Sequence, residues 1–460
     1  MPVVELRDPE RPRNSRVGLL NETGNCRGND DCRIGTKIVF FLCGAGGGGH
    51  KASANAIRDC LVQEGVEWAA GIKLLNPSVM VDEMLFGSAA AQQREHLFDG
   101  DAWYNWFMKR GYYRFAGISG FVALAAVWLR RTRIERGFEN WLREVKPDLV
   151  VSFVPYLNST LRVALRRACP GRRLVTVVTD MSSTYAHRWI DSWHPIEGKH
   201  HIIVAGSDEL QQQARRAGYP DRNLLCTSGM VVNPAFYCHA PHSCSESVDT
   251  TSSAGSLRRD RRTGSLTRDV AAAHTSSTKT AVASNGAATQ LNAVRAIIFF
   301  GGFAPMRTVQ IVRQLRRSHP QMNLVVLCGG NERLEIVLRE ELAGPYCLVE
   351  GMVTAERVRQ HLETATFVIG KPGPGVVAEA SVCGKPFVTE RKVMPQERSV
   401  LRWLESTGAG VIVRSLERLP PDLLEHVEAS RLALVERGLN NAVFEVSQLI
   451  RSLVEEPERV

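Results

Sequence analysis

Short apolar runs alternate along the chain with stretches in which apolar residues recur every three or four positions. Continuous apolar runs are typical of parallel strands, which are buried on both faces, and the longer period is typical of amphipathic helices. The alternation therefore predicts a doubly wound α/β fold. The predicted strands are 37–43, 70–75, 147–153, 174–180 and 201–205 in the first half and 294–300, 324–331, 347–353, 385–389 and a short one beginning at 367 in the second.

Two segments lack this pattern and divide the chain. Residues 1–36 are polar, and residues 239–293 are rich in Ser, Thr, Ala and Arg with few large apolar residues. Neither segment can bury a core, so we predict a disordered N-terminal tail and a disordered insert. Residues 37–238 and 294–460 then form two separate Rossmann-like domains.

Composition narrows the class of partner. The chain has 460 residues, of which 44% are hydrophobic and 23% charged, and a formal net charge of +9. An anionic partner is expected, and charge alone leaves nucleic acid, a phosphorylated substrate and an acidic lipid surface open. Eleven scattered cysteines without a Cys-x-x-Cys pair favour a reducing compartment. The N-terminal segment has neither a secretory signal nor a clear transit peptide.

The stretch 367–386 combines a strand, a Gly/Pro loop and a helix that begins near Gly375. Such a loop presents backbone N–H groups and the positive end of the helix dipole, which suit an anionic phosphate. Glu379 would then accept hydrogen bonds from sugar hydroxyls next to that phosphate. An ordinary strand-to-helix turn is the alternative interpretation.

A second glycine loop, 44–53, follows the first predicted strand and contains Gly46, Gly47, Gly48 and Gly49. It matches Gly-x-Gly-x-x-Gly, but the next strand ends in Asn76, whereas a dehydrogenase needs an acidic residue there. A P-loop is excluded because His50 follows the last glycine. At the start of a helix, His50 is a candidate general base, with a capping or surface histidine as the alternative.

Aromatic and basic residues are mixed between positions 101 and 141. The apolar run within this segment is too short to span a bilayer, whereas aromatic residues beside arginines suit an interfacial segment. A core helix with a basic end is the alternative. The candidate interfacial residues are Trp103, Trp106, Phe107 and Trp128.

Asp180 ends the predicted strand 174–180, and His187 and Trp189 follow in the next loop. Ligands of doubly wound sheets gather at the carboxyl ends of the strands, so these three side chains are candidate site residues. Asp180 as the cap of a local turn is the alternative.

Several spaced motifs, at 47–57, 178–180, 370–380, 395–397 and 408–411, together resemble the monogalactosyldiacylglycerol synthases and the bacterial diacylglycerol glucosyltransferases of glycosyltransferase family 28. The resemblance covers residues 37–236 and 294–413. It implies the GT-B fold, with two Rossmann-like domains facing across a cleft. Residues 37–238 would be the acceptor and membrane side, and residues 294–460 would bind the UDP-sugar.

The resemblance also implies roles for individual residues. His50 or Asp180 would be the catalytic base, and Gly46 to Gly49 would form a loop beside the phosphates. The 103–133 segment would dock on anionic lipid, with His187 and Trp189 near the acceptor. The donor would contact Gly351, Met352 and Val353 along uracil, Gly373, Pro374 and Gly375 at the diphosphate, Glu379 at the ribose, and Gln396 and Glu397 at the sugar.

The activity implied is inverting transfer of a hexose, with galactose favoured, from a UDP-sugar to the hydroxyl of diacylglycerol. No metal, cofactor or nucleic acid is expected, and the protein would be peripheral on a plastid or other intracellular membrane. Pro395 and Val400 depart from the Gly and Asn that the synthases typically carry, which leaves the sugar open. UDP-glucose or UDP-GlcNAc with another lipid acceptor, and a non-catalytic nucleotide- or lipid-binding protein, remain alternatives.

Overall fold

The structure, a computed structural model, describes residues 39–43, 49–86, 125, 128–184, 187–196, 198–237 and 294–455. The predicted disordered segments, Gly46 to Gly48, Trp103, Trp106 and Phe107 lie outside the described residues. Twelve helices are described: α1 (Gly49–Gln63), α2 (Pro77–Phe86), α3 (Arg131–Val145), α4 (Asn158–Ala168), α5 (Asp208–Arg216), α6 (Thr308–Ser318), α7 (Glu332–Glu341), α8 (Ala355–Thr364), α9 (Pro374–Val382), α10 (Arg398–Thr407), α11 (Leu423–Arg437) and α12 (Ala442–Glu455).

Twelve described strands form two six-stranded sheets. The first sheet has the order β2-β1-β3-β4-β5-β6 and the second the order β12-β11-β10-β7-β8-β9, and every neighbouring pair is parallel. The strands are β1 (Val39–Leu42), β2 (Lys73–Leu75), β3 (Leu149–Ser152), β4 (Arg173–Val177), β5 (His201–Ala205), β6 (Leu224–Cys226), β7 (Arg295–Phe299), β8 (Asn323–Leu327), β9 (Cys347–Glu350), β10 (Phe367–Ile369), β11 (Phe387–Glu390) and β12 (Gly410–Val413).

These two parallel sheets confirm the predicted pair of doubly wound domains. Several predicted strands match closely: β5 has the predicted bounds, and β7 differs by one residue at each end. Two local predictions were wrong. Ala70 and Gly71 belong to a 3-10 helix (Glu67–Gly71) and not to a strand, and the three-residue strand β6 was not predicted.

The last helix ties the two halves together. Although α12 follows the second sheet in sequence, its apolar face packs in the core of the first half against β1 and α1. The contact buries Val443, Val446 and Ile450 completely. In the other direction, Met230, Val232 and Phe236 of the first half pack with residues of β10 and α9 in the second. Each half therefore completes part of its core with residues of the other.

Polar contacts also cross between the halves. Arg402 of α10 donates two hydrogen bonds from Nη2 to the Glu209 carboxylate of α5, at 2.8 and 3.0 Å. Glu209 follows the carboxyl end of β5, and α10 follows the loop after β11, so the carboxyl edges of both sheets lie on the side of this contact. The loops that follow the strands are thus brought to one region between the halves.

We expect Ile450→Ala to lower the free energy of unfolding by about 2–5 kcal/mol, because it leaves a cavity in a core that belongs to the other half of the chain. Urea unfolding of the full chain measures this change. The control is Gln448→Ala, which alters an exposed position on the same helix and should shift stability by less than about 0.5 kcal/mol. Equal stability of both variants would contradict the role given to α12.

Candidate active site

Four predicted residues of the first half converge at the carboxyl end of its sheet. His50 is the second residue of α1, Asp180 follows β4, and His187 and Trp189 lie in the next loop. Oδ2 of Asp180 accepts a hydrogen bond from Trp189 Nε1 at 2.8 Å and lies 3.3 Å from His187 Nδ1. The His50 and Trp189 rings are 5.5 Å apart, centroid to centroid. The structure thus assembles residues that are widely separated in sequence.

His50 is oriented by a residue that the sequence analysis did not single out. Its Nδ1 lies 2.9 Å from Oγ1 of Thr179, the residue before Asp180. A hydroxyl can donate to or accept from either imidazole tautomer, so this contact fixes the ring without fixing its proton. Thr179 lies in the Val-Thr-Asp motif at 178–180, so the sequence contained the signal.

Asp180 is an ionised and well-held carboxylate. Burial raises its pKa, but the hydrogen bond and charge of His187, the Trp189 indole and the charge of His50 together lower it below its ordinary value of 3.8. A carboxylate with a depressed pKa is a weak base near neutral pH. Asp180 orients its neighbours His187 and Trp189, and His50 and Asp180 both stay predictions for the catalytic base.

Trp189, predicted to lie near the acceptor, is a buried residue. Its side chain is 0% exposed, and its backbone is held by Ser183 Oγ, which accepts from Trp189 N at 3.0 Å, and by Asn158, whose Nδ2 donates to Trp189 O at 3.1 Å. The Trp189 ring is buried, and its N–H donor bonds to Asp180. The ring therefore supports the Asp180 carboxylate from the interior of the protein. His187 remains half-buried beside Tyr156 and is the more accessible of the two.

In the second half, the loops after β7 and β10 meet at the point where the strand order reverses, which is where doubly wound sheets bind ligands. Gly370 permits this approach, because a Cβ there would collide with the carbonyl oxygen of Phe299 at the end of β7. Space for a Cβ is open at both Gly373 and Gly375. The predicted phosphate loop therefore lies at the switch point with open space above its glycines.

Helix α9 begins at this loop with Pro374 in its first turn and Gly373 as an N-cap that makes no side-chain hydrogen bond. The first N–H groups of a helix have no intrahelical acceptors, so those of Gly375 and Val376 suit an anion. This helix start agrees with the sequence prediction to within one residue.

Glu379, in the second turn of α9, is a half-buried carboxyl group. Burial raises its pKa to about 8. Within the part of the chain that the structure describes, this carboxyl has no hydrogen-bond or ion-pair partner. A carboxyl group held in this way is suited to accept hydrogen bonds from a bound ligand.

Glu397 differs from its predicted role at the sugar. Its carboxylate is buried, with Oε1 2.7 Å from Lys371 Nζ and Oε2 accepting from the Met394 backbone N–H at 3.0 Å. Both oxygens are thus engaged within the protein. Gln396, its neighbour in the 3-10 turn Pro395–Glu397, is half-buried, and its amide contacts the Met394 sulfur at 3.7 Å. Lys371 is a site residue that the sequence analysis gave no role.

The predicted uracil segment, 351–353, follows β9 at the same edge of the sheet. The Glu335 carboxylate lies close to Gly351, in the space that a Cβ would occupy. Met352 is largely exposed, and both it and Phe303, from the loop after β7, approach Gly330. This apolar surface at the ends of β7, β8 and β9 has the character that a nucleobase needs. Phe303 was not among the predicted site residues, although Phe303 directly follows the Gly301-Gly302 pair.

The predicted interfacial segment, 103–133, is described mainly at its carboxyl end. Trp128 is 72% exposed and Leu129 70%, and the exposed Arg130, Arg131 and Arg133 follow. Within the described ranges, no helix is both long and apolar enough to cross a membrane. Among the same residues, no group of three or more His, Cys, Asp or Glu side chains could hold a metal ion.

No family model matches the chain. Over 452 residues it is 23% identical to monogalactosyldiacylglycerol synthase 3 of Arabidopsis thaliana, a match that covers 92% of this chain and 83% of that protein. Monogalactosyldiacylglycerol synthase 1 of the same plant is 23% identical over 87% of this chain and 67% of its own length. The chain is similar to the monogalactosyldiacylglycerol synthases. The resemblance inferred from the spaced motifs is thus confirmed by similarity along most of the chain.

A probable monogalactosyldiacylglycerol synthase of Glycine max is 22% identical over 95% of this chain and 75% of its own length. Among solved structures, the crystal structure of Acinetobacter baumannii MurG superimposes with a TM-score of 0.49 and 13% identity, over 91% of this chain and 99% of that one.

We expect Glu379→Gln to stabilise the ligand-free protein at pH 8 to 9 by roughly 1–3 kcal/mol, because burial disfavours the charged carboxylate and not the neutral amide. The folded-state pKa of about 8 lies above the ordinary value of 4.5, so the carboxylate opposes folding increasingly as pH rises between these values. The difference from wild type should vanish near pH 4.

Chemical unfolding at several pH values measures this effect. Glu436→Gln, an exposed position with the same change of charge, is the matched control and should show no such pH dependence. A constant difference between Glu379→Gln and wild type across pH 4 to 9 would refute the interpretation.

Proposed function

We propose that the protein is an inverting glycosyltransferase that moves a hexose, with galactose favoured, from a UDP-sugar to the hydroxyl of diacylglycerol at a membrane surface. Glycosyl transfer, the coarser part of this proposal, is supported by the similarity to monogalactosyldiacylglycerol synthases over 92% of the chain. The observation that carries it is Glu379, a partly buried carboxyl beside the start of α9 that has no partner among the described residues.

The donor fits the chemistry of the second half. The N-terminus of α9 would hold the diphosphate, and Glu379 would accept hydrogen bonds from the ribose hydroxyls. The exposed apolar side chains of Phe303 and Met352 would flank the base. Of the two residues predicted to contact the sugar, Gln396 is half-buried, whereas Glu397 is buried and paired with Lys371.

The acceptor chemistry fits the first half. His50 would remove the proton of the acceptor hydroxyl, whose oxygen attacks the anomeric carbon. The bond from that carbon to the diphosphate oxygen breaks, and its electron pair leaves with UDP. Asp180 stays ionised and stabilises the protonated imidazole of His50 through its charge. Direct displacement of this kind inverts the anomeric configuration, and no metal is part of the proposal.

Radiolabelled UDP-galactose and UDP-glucose, offered separately with diacylglycerol vesicles, test the proposal. We expect a lipid-soluble monoglycosyl product from one of the two donors, and inversion is checked by the anomeric coupling constant of that product. Failure of both donors to give a glycolipid, with anionic lipid present, would contradict the proposed acceptor.

His50→Ala should lower kcat by about 100- to 10,000-fold, the usual contribution of a general base, while UDP affinity stays within about twofold of wild type. His200→Ala, a histidine of the same half at the amino end of β5 and so at the opposite edge of the sheet, is the control and should keep wild-type turnover. Wild-type kcat in the His50 variant would rule this residue out as the base.

Membrane docking through the exposed end of the basic segment gives a further expectation. The double variant Trp128→Ala/Leu129→Ala should bind vesicles of anionic lipid about tenfold more weakly, because it removes two exposed apolar side chains beside three arginines. Leu439→Ala removes a side chain that is 77% exposed on the other half, and it is the matched control. Sedimentation with vesicles measures both, and equal losses would argue against docking at this segment.

A further inference from the structure

Lys371 occupies the start of the phosphate loop and has one described ion-pair partner, Glu397. It follows Gly370 directly after β10, and Glu397 closes the 3-10 turn after β11. Since β10 and β11 are parallel neighbours, both residues lie at the ligand-binding edge of the sheet. The side chain of Lys371 is 31% exposed and that of Glu397 only 5%. The side chain of Lys371 is therefore the more exposed member of the pair.

The two partners differ in how firmly they are fixed. Glu397 also accepts the backbone N–H of Met394, so its carboxylate keeps a protein partner if the lysine moves away. Lys371 has a long flexible stem, and its ammonium is a point charge that can change partners at little cost in geometry. Of the two side chains, Lys371 is therefore the one that can move.

The surroundings of Lys371 suit a multiply charged anion. Two residues further on, Gly373 is the N-cap of α9, and open space lies above Gly373 and Gly375. The positive end of a helix and an ammonium group on the same short loop attract the same ligand. A diphosphate carries enough negative charge to engage both.

We propose that Lys371 leaves Glu397 when the nucleotide binds and donates to its diphosphate, and that it stabilises the charge of the departing diphosphate during transfer. This inference rests on the proposed function. When the anomeric carbon–oxygen bond breaks, its electron pair stays on the β-phosphate oxygen, and the acceptor proton goes to His50. Lys371 remains protonated throughout and lowers the barrier through its charge.

The protonation of Lys371 makes the exchange measurable. Burial lowers its pKa to about 8, while the Glu397 carboxylate opposes that shift by favouring the charged form. Binding of a diphosphate favours the charged form further, so UDP affinity should fall as pH rises above about 8. The charged groups on neighbouring elements are Glu397, Glu379 on α9, and Glu390 at the end of β11, which Arg307 holds.

Calorimetric titration of the full chain with UDP and with uridine separates the diphosphate from the rest of the nucleotide. Lys371→Met should weaken UDP binding about tenfold to a hundredfold, the range for one charge-assisted hydrogen bond, and leave uridine binding unchanged. Lys371→Arg should restore most of the difference. Lys385→Met, at the amino end of β11 and so at the opposite edge of the sheet, should bind both ligands as wild type does.

Two further measurements address the exchange itself. Glu397→Gln should bind UDP more tightly than wild type, by about two- to tenfold, because the competing carboxylate is gone. The UDP-to-uridine affinity ratio should fall between pH 7 and 9.5 in wild type and in Glu379→Gln, but stay flat in Lys371→Met. Using the ratio cancels ionisation of the uracil ring, and the Glu379→Gln background removes the other group that titrates in this range.

The outcomes distinguish this inference from the function on which it rests. A wild-type protein that binds no UDP would contradict the proposed function itself. UDP binding that is unchanged in Lys371→Met would overturn the inference and leave the proposed function standing. Weaker UDP binding in Glu397→Gln would show that the carboxylate positions the lysine for the nucleotide, and it would overturn the exchange of partners.

Discussion

Parallel pairing of β10 with β7 constrains the candidate site more than any other contact, because it brings the carboxyl ends of two strands far apart in sequence to the switch point of the sheet. The close approach of Gly370 to the end of β7 depends on this pairing. The orientation of α9, and with it the position of Glu379, follows from the loop that Gly370 begins. Helix α12 acts on a larger scale by completing the core of the first half with residues from the end of the chain.

The candidate carboxyl groups of the two halves, Asp180 and Glu379, have opposite pKa shifts. Asp180 is surrounded by donors that keep it ionised, so the first half is organised before any ligand arrives. Glu379 has no partner among the residues that the structure describes, and burial raises its pKa. An unmet buried group lowers stability and is retained where a ligand supplies the missing partner. The first half therefore has the features of a catalytic region and the second those of a binding region.

The sequence predicted elements well where local pattern decides them, as for β5, whose bounds match the prediction. It failed for β6, because three residues are too few to show a period, and for Gly71, whose 3-10 turn has no distinct apolar pattern. The convergence of His50 and Asp180 was predictable from the carboxyl-end rule. The burial of Trp189 and the partner of Glu397 were not, because both depend on contacts between distant segments.

The structure also limits which residues of the 395–400 motif could contact a sugar. At Val400, where the resembling synthases typically carry Asn, the side chain is 0% exposed and lies in the core of the second half. A residue there cannot reach a bound sugar, and Glu397, three positions earlier, is engaged with Lys371. Of Gln396 and Glu397, the two residues predicted to contact the sugar, Gln396 has the partly exposed side chain. Discrimination between epimeric hexoses needs directed hydrogen bonds, since a site that lacks them separates similar ligands only weakly. Under the proposed function, the choice of sugar would then rest on Gln396 together with groups outside the 395–400 motif.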